Sequence, residues 1–135
     1  MEIRQLLISV FVANLALTLV SLLMLPDHVA IHFGAGGLPD GWASKWMHAL
    51  IFMVIQVPLF VLFMSAGRLV LGFPEKWISL PNKAYWLKPE NRRELETRFS
   101  ALMREFGVVL FVFLFGVGLL TLDANLRCRD LLSLR

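Results

Sequence analysis

The sequence has few charged residues and a single cysteine, and each shortage excludes a class of protein. Asp, Glu, Lys and Arg make up 17% of the 135 residues, whereas apolar residues make up 58%. Soluble domains are about 25% charged and about 45–50% apolar, so this is not an ordinary soluble domain. Cys128 has no second cysteine to pair with, which excludes a disulfide framework, and the sequence has no Cys/His cluster with zinc-site spacing.

Three long apolar stretches take the place of the missing charge. They cover residues 5–25, 46–67 and 106–122, and a helix that crosses a bilayer needs about 20 mostly apolar residues. We therefore predict one all-α integral membrane domain over residues 1–135, with three transmembrane helices. The first stretch is too long for a signal peptide and has no small-residue cleavage site after it, so we expect an uncleaved anchor.

The distribution of basic residues predicts the orientation of the chain. Eight of the 13 Lys and Arg lie between the second and third stretches, whereas Lys45 is the single one between the first and second. Because basic residues favour the cytoplasmic side, we expect a cytoplasmic N-terminus and an outward loop at 26–45. The same bias accounts for the pI of about 9.5, so no nucleic-acid partner is predicted.

The segment 68–105, which joins the last two stretches, predicts a bent interfacial connector followed by a helix. Trp77 and Tyr85 stand among lysines, as is typical of a segment at the level of the lipid headgroups. From Pro89 the apolar spacing is helical and runs directly into the third stretch, which predicts one amphipathic cytoplasmic helix continuous with that span. Its polar side is either a solvated face or a docking surface for a partner helix or headgroups. Two stabilising i,i+4 pairs are expected: Glu94 with Arg98, and Arg92 with Glu96.

Polar residues inside the stretches, and glycines in the third, indicate contacts between helices. Asn14 and Gln56 lie at membrane depth, where amide side chains usually hydrogen-bond to a neighbouring helix. The third stretch carries glycines that would let helices approach closely: Gly107, Gly116 and Gly118.

The loop 26–45 has the pattern of a small ordered motif. His28, Ala30 and His32 alternate with Val29, Ile31 and Phe33, which predicts a short strand with both histidines on one face. Three glycines follow, and Leu38 to Gly41 has the composition of a turn. We expect Asp40 and Lys45 to form an ion pair or a backbone cap that shapes the loop.

The residues of this loop carry a resemblance to a known family. They match the pattern H-F-x(3)-G-x(2)-D-G-x(2)-S-K at His32, Phe33, Gly37, Asp40, Gly41, Ser44 and Lys45. This resembles the SdpI-like bacteriocin-immunity membrane proteins and the small bacterial membrane domain of unknown function that they contain. A second, interfacial block is similar to one in many members, at Pro81, Asn82, Lys83, Tyr85, Trp86, Asn91 and Arg92.

The resemblance implies a bacterial inner-membrane protein with several spans. Some members protect against a secreted peptide toxin and take part in sensing it. Members usually carry a further span after the third, so a truncated or compact form is expected here. The leading hypothesis is a non-enzymatic sensor or immunity-type protein that recognises an extracellular peptide or a membrane protein through the motif residues of the loop. The alternative is a small transport or accessory subunit of a larger membrane complex, acting as an oligomer or with a larger partner.

The ionisable residues of the loop leave a third hypothesis, a metal-dependent membrane enzyme. His28, His32 and Asp40, with His48 close to one end of the second stretch, are the weak candidates for zinc ligands. The sequence has no nucleophile–base–orienter set and no phosphate-binding glycine loop. We therefore predict no enzyme activity, no cofactor and no metal, and hydrogen bonds within the loop for the histidines. The predicted partners are the lipid bilayer, a peptide or membrane protein, and a second copy of the chain.

Overall fold

The structure, a computed structural model, describes the backbone of residues 2–133 and the side chains of residues 2–128. Within this range a two-stranded hairpin separates the first two of three long helices. The elements are α1 (Ile3–Met24), β1 (His28–Phe33), β2 (Pro39–Ser44), α2 (Lys45–Gly72), a 3₁₀ turn (Glu75–Trp77), α3 (Lys83–Trp86) and α4 (Arg92–Ser133).

The three long helices confirm the predicted fold class. In the described part of the chain, three helices are long and apolar enough to cross a membrane. The chain is therefore a small multi-pass membrane protein. The predicted amphipathic helix and third span are one continuous helix, α4, of 42 residues. At 1.5 Å per residue α4 measures about 63 Å, roughly twice the hydrocarbon thickness. It begins at Arg92 rather than Pro89, and continues beyond residue 122 to Ser133.

Close approaches between glycines and neighbouring helices give the relative direction of the helices. A Cβ atom on Gly107 would lie 3.0 Å from Phe63 of α2 and 3.1 Å from Leu7 of α1. Further along α4, a Cβ atom on Gly118 would lie 2.8 Å from Leu17 of α1. Helices α1 and α4 are therefore parallel, and α2 is antiparallel to both. The hairpin and the last turns of α4 share one end of the bundle, the hairpin end, whereas the start of α1 and residues 73–91 share the other, the connector end.

Glycine packing confirms most of the predicted close contacts. Gly107 and Gly118 pack against neighbouring helices as expected, but nothing lies within 4 Å of a Cβ atom built on Gly116, so that prediction was wrong. The closest contact was not predicted. A Cβ atom on Gly67 of α2 would lie 1.8 Å from Ser100 Oγ and 2.7 Å from the Glu96 carbonyl oxygen of α4. These two helices meet there with almost no space for a side chain.

The connector-end half of the bundle has an apolar core. Leu7, Phe63 and Phe111, one from each long helix, form the buried cluster at its centre. The Phe11 and Phe60 rings stack against each other at 4.0 Å between centroids. Such a core closes this half of the bundle by van der Waals packing, which is what holds helices together where lipid replaces water.

Buried amide side chains follow this core toward the hairpin end. Asn14 Nδ2 donates to the Val10 carbonyl of its own helix at 2.8 Å and to the Phe111 carbonyl of α4 at 2.9 Å, which confirms the expected interhelical bond. Gln56 is also buried, but its Oε1 atom has no hydrogen-bond partner among the described residues. Gln56 Oε1 therefore does not form the expected hydrogen bond to a neighbouring helix.

The connector is bent and tied to the start of α4. Asn82 has a positive φ of 53° and directs the chain into α3. Arg92 pairs with Glu75 at 3.2 Å and not with Glu96, so the predicted Arg92–Glu96 pair was wrong. Glu75 lies 17 residues before Arg92, and the bend of the connector brings the two together. The expected Glu94–Arg98 pair is present at 2.7 Å.

Replacing Gly67 by Ala tests the contact between α2 and α4. Because the new Cβ atom meets a backbone carbonyl that cannot move aside, Gly67→Ala should lower the free energy of unfolding by about 1–3 kcal/mol. Gly116→Ala is the matched control, since its Cβ atom enters open space. The midpoint of unfolding in detergent micelles, followed by tryptophan fluorescence, should fall for the first variant alone. Equal midpoints would contradict this packing.

Single-cysteine labelling tests the orientation predicted from the basic residues. Ala35, at the hairpin end, and Ala84, at the connector end, are both exposed. In a Cys128→Ser background, Ala35→Cys should react with an impermeant maleimide on intact cells, and Ala84→Cys only after lysis. The opposite pattern would place the hairpin in the cytoplasm.

Candidate functional site

The predicted loop 26–45 is a β-hairpin with two strands rather than one. β1 and β2 pair antiparallel, from His28 opposite Ser44 to Phe33 opposite Pro39. The turn is at Gly34–Leu38, where Gly34 N–H donates to the Leu38 carbonyl at 2.9 Å and Gly37 has a positive φ of 72°. The turn predicted at 38–41 was therefore wrong. Its Pro39, Asp40 and Gly41 lie in β2, because the preceding glycines already reverse the chain.

Irregular pairing changes the predicted positions of the histidines. Ala30 pairs with Trp42 and His32 with Gly41, so Ile31 has no partner in the register. An extra residue of this kind is a β-bulge, which disturbs the alternation of side chains. Ala30 is buried whereas His28 and His32 are exposed. The bulge lies between Ala30 and His32, so the regular alternation from which both histidines were placed on one face is interrupted between them.

A contact between His32 and Asp40 organises the turn half of the hairpin. His32 Nδ1 lies 2.5 Å from Asp40 Oδ1, and an ionised carboxylate can only accept, so Nδ1 carries the hydrogen. Space for this pair depends on glycine. A Cβ atom on Gly34 would lie 3.0 Å from Asp40 Oδ2, and one on Gly41 would lie 2.9 Å from His32 Cβ. His32, Asp40 and Gly41 of the predicted motif thus act together to shape this part of the hairpin.

A second set of contacts holds the base of the hairpin to α2. Lys45 Nζ pairs with Asp27 Oδ1 at 3.0 Å, and Lys45 N–H donates to the Asp27 carbonyl at 3.1 Å. Ser44 Oγ accepts from Met47 N–H at 3.1 Å, which caps the first turn of α2. The predicted pair between Asp40 and Lys45 was wrong, because each has a nearer partner on β1 or just before it.

Sequence reasoning missed the residue that holds the hairpin to the bundle. Asn125 of α4 is 2% exposed. Its Oδ1 accepts from Ala30 N–H at 2.6 Å, and its Nδ2 donates to the Ala30 carbonyl at 3.0 Å. A side-chain amide thus pairs with one edge of β1 as a neighbouring strand would. The signal that could have found it is a seven-residue spacing of buried positions in α4: Phe111, Gly118 and Asn125.

The hairpin exposes several large apolar side chains. Leu38 in the turn is 74% exposed, and Ile31, Trp42 and, at the start of α2, Trp46 are also exposed. Phe33 of the motif is half-buried. We call Ile31, Leu38 and Trp42 the hairpin surface. The polar motif residues His32, Asp40, Ser44 and Lys45 make contacts within the fold, whereas the exposed apolar side chains of the hairpin surface lie outside the motif positions.

The second block lies at the opposite end of the bundle and does not join the first. Asn91 Nδ2 donates to the Tyr85 carbonyl at 2.8 Å, and Arg92 Nε to the Leu87 carbonyl at 3.1 Å. The Trp86 ring lies 5.8 Å from the guanidinium carbon of Arg98. These contacts order the connector, so the two motifs form two separate regions.

The three candidate metal ligands do not come together. His32 contacts Asp40, but the described residues contain no group of three His, Cys, Asp or Glu side chains that could hold a metal ion. His48 lies inside the bundle, with its ring 4.9 Å from that of Phe52.

Comparison with known proteins gives one match. Residues 10–57 match the model of a family described as a domain of unknown function (DUF1648). This is about a third of the chain and covers the second part of α1, the hairpin and the first part of α2. No curated protein and no solved structure matches. The match supports a small membrane domain, and the narrower resemblance to SdpI-like immunity proteins stays a prediction.

Replacing Asn125 by Ala tests how the hairpin is held. Both backbone groups of Ala30 would lose their partner, at a cost of about 1–3 kcal/mol. Hydrogen exchange at Ala30 should accelerate about tenfold or more. Asn91→Ala is the control, since its amide bonds at the connector end and should leave Ala30 protected. Unchanged exchange in Asn125→Ala would contradict this role.

Proposed function

We propose that this membrane protein is a non-enzymatic recognition protein, of the sensor or immunity type, whose hairpin binds an extended peptide on the outer side of the membrane. The peptide is a secreted peptide or a segment of another membrane protein. The observation that carries the proposal is the exposure of the hairpin surface on a rigidly held hairpin. Large apolar side chains exposed on an ordered element outside the helices are candidates for an interaction site.

Lipid contact explains part of this exposure but not all of it. Trp46 is exposed in the first turn of α2, a position at the end of a span where aromatic rings commonly contact the membrane interface. Leu38 lies in the turn between the two strands and is 74% exposed. A side chain so exposed contributes little to the packing of the bundle, and a partner would bury it.

The free edge of β2 supports an extended peptide as the partner. Both backbone groups of Ala30 bond to Asn125, so they point away from β2. In an antiparallel pair, the opposite residue then also points its backbone groups outward, and that residue is Trp42. Among the described residues no other element bonds to this edge. A peptide strand could pair there through its main chain while its side chains contact the hairpin surface.

The contacts of the ionisable motif residues support a non-enzymatic role. His32 is paired with Asp40, and Lys45 with Asp27. Ser44 accepts from a backbone N–H group as a helix cap. Each polar group of the motif that could do chemistry therefore already has a partner that shapes the hairpin.

Photo-crosslinking in cells tests the proposal. A photoreactive phenylalanine analogue at Leu38 or Trp42 should give a discrete adduct with a peptide or protein. Leu120 of α4, 72% exposed on the helix bundle, is the matched control and should give at least several-fold less of that adduct. The proposal fails if Leu38 and Trp42 give no adduct, or if Leu120 gives the same one.

Two substitutions of Trp42 separate main-chain from side-chain recognition. Trp42→Pro removes the outward N–H group, and proline is tolerated at an edge where that group faces away from the ladder. We expect it to abolish the adduct formed from Leu38, and Trp42→Ala to weaken it. Because both variants lack the indole, an adduct as strong in Trp42→Pro as in Trp42→Ala would contradict pairing through the β2 edge.

A further inference from the structure

Polar side chains from two helices face each other inside the hairpin-end half of the bundle. They line a small internal cavity together with apolar residues of α4. The polar residues of its wall are Asn14, Thr18, Ser21, His48 and Gln56.

These residues form a column along the helices. On α1 the polar positions recur three or four residues apart, which keeps them on one face. On α2, His48 and Gln56 are eight residues apart, or about 12 Å along the axis. The cluster of Leu7, Phe63 and Phe111 closes the connector-end half beyond this column. The column therefore extends from the hairpin end to the middle of the bundle.

Two atoms of the wall have no protein partner. Gln56 is 1% exposed and His48 is 7% exposed. Gln56 Oε1 and His48 Nε2 are both buried without a hydrogen-bond partner among the described residues. A buried polar atom without a partner destabilises the fold by about 1–3 kcal/mol. A hydrogen-bond partner for these two atoms would have to be a molecule inside the cavity.

Two other residues of the wall have already used their donors. Both hydrogen atoms of Asn14 Nδ2 go to the Val10 and Phe111 carbonyls. Thr18 Oγ1 donates to the Asn14 carbonyl at 3.0 Å. Because Gln56 Oε1 can only accept, its partner has to be a small species that supplies hydrogen atoms.

We propose that this cavity binds a water molecule that donates to Gln56 Oε1. Its volume for the centre of a water molecule is about 10 Å³, close to what one water needs. The Thr18 and Ser21 hydroxyl oxygens and His48 Nε2 lie on the same wall and supply the other hydrogen-bonding groups. The polar wall contains no carboxylate, and an unpaired ion at membrane depth is far costlier than a neutral molecule. The site therefore takes water rather than a metal cation.

Water-edited solid-state NMR of the isotope-labelled chain in lipid bilayers tests this site. Magnetisation should pass from water to the Gln56 side-chain amide several-fold faster than to the backbone amide of Phe111, which lies in the apolar core. The exposed Gln5 amide serves as the positive control. Transfer to Gln56 as slow as to Phe111 would mean a dry cavity and would overturn the proposal.

Two further measurements identify the occupant. Thr18→Leu fills the cavity, so transfer to Gln56 should fall several-fold, whereas Ser9→Leu, on an exposed position of the same helix, should leave it unchanged. Exchange of sodium for N-methylglucamine should leave the Gln56 signals in place. Gln56 shifts that follow the sodium concentration would reveal a cation site and overturn the assignment to water. Equal transfer in both leucine variants would place the water elsewhere.

Discussion

Two asparagine side chains, Asn14 and Asn125, hold α4 against the rest of the chain. The first bonds to the carbonyl of Phe111, and the second bonds to both backbone groups of Ala30. At the membrane depth of Asn14 such a bond cannot be exchanged for a bond to water, so a polar group there has to find a partner inside the protein. Gly107 and Gly118 bring the helix backbones close enough for this arrangement. The position of the hairpin, and so of its exposed face, depends on these contacts.

The hairpin separates the residues that build it from those available to a partner. His32, Asp40 and Lys45 are engaged in contacts that shape the turn and the base. Leu38 and Trp42 remain exposed. The polar residues of the motif therefore stabilise the shape of the hairpin. In the proposed function, the partner is bound by the exposed apolar side chains and the free edge of β2. The matched domain of unknown function includes the hairpin and also the polar wall of the internal cavity.

The success of the sequence predictions depended on how far each interaction reaches along the chain. The three spans and the continuity of α4 follow from hydropathy and spacing within single segments, and the structure confirms them. The Glu94–Arg98 pair was predictable because four residues on one helix fix the geometry. Arg92 was assigned to Glu96 by the same rule, but the bent connector brings Glu75, 17 residues earlier in the chain, into contact with Arg92 instead. Asp40 and Lys45 were misassigned because the second strand was not foreseen.

The sequence by itself determined that this is a helical membrane protein with three spans, an ordered segment between the first two and a long continuous last helix. Those properties follow from local hydropathy, helical periodicity and the placement of glycine and proline. The tertiary structure alone decided the partner of each polar group: Ala30 for Asn125 and Asp27 for Lys45, whereas Gln56 Oε1 has no hydrogen-bond partner within the described part of the chain. A polar residue in a membrane must find a hydrogen-bond partner, but which partner it finds depends on which backbones pack within about 3 Å.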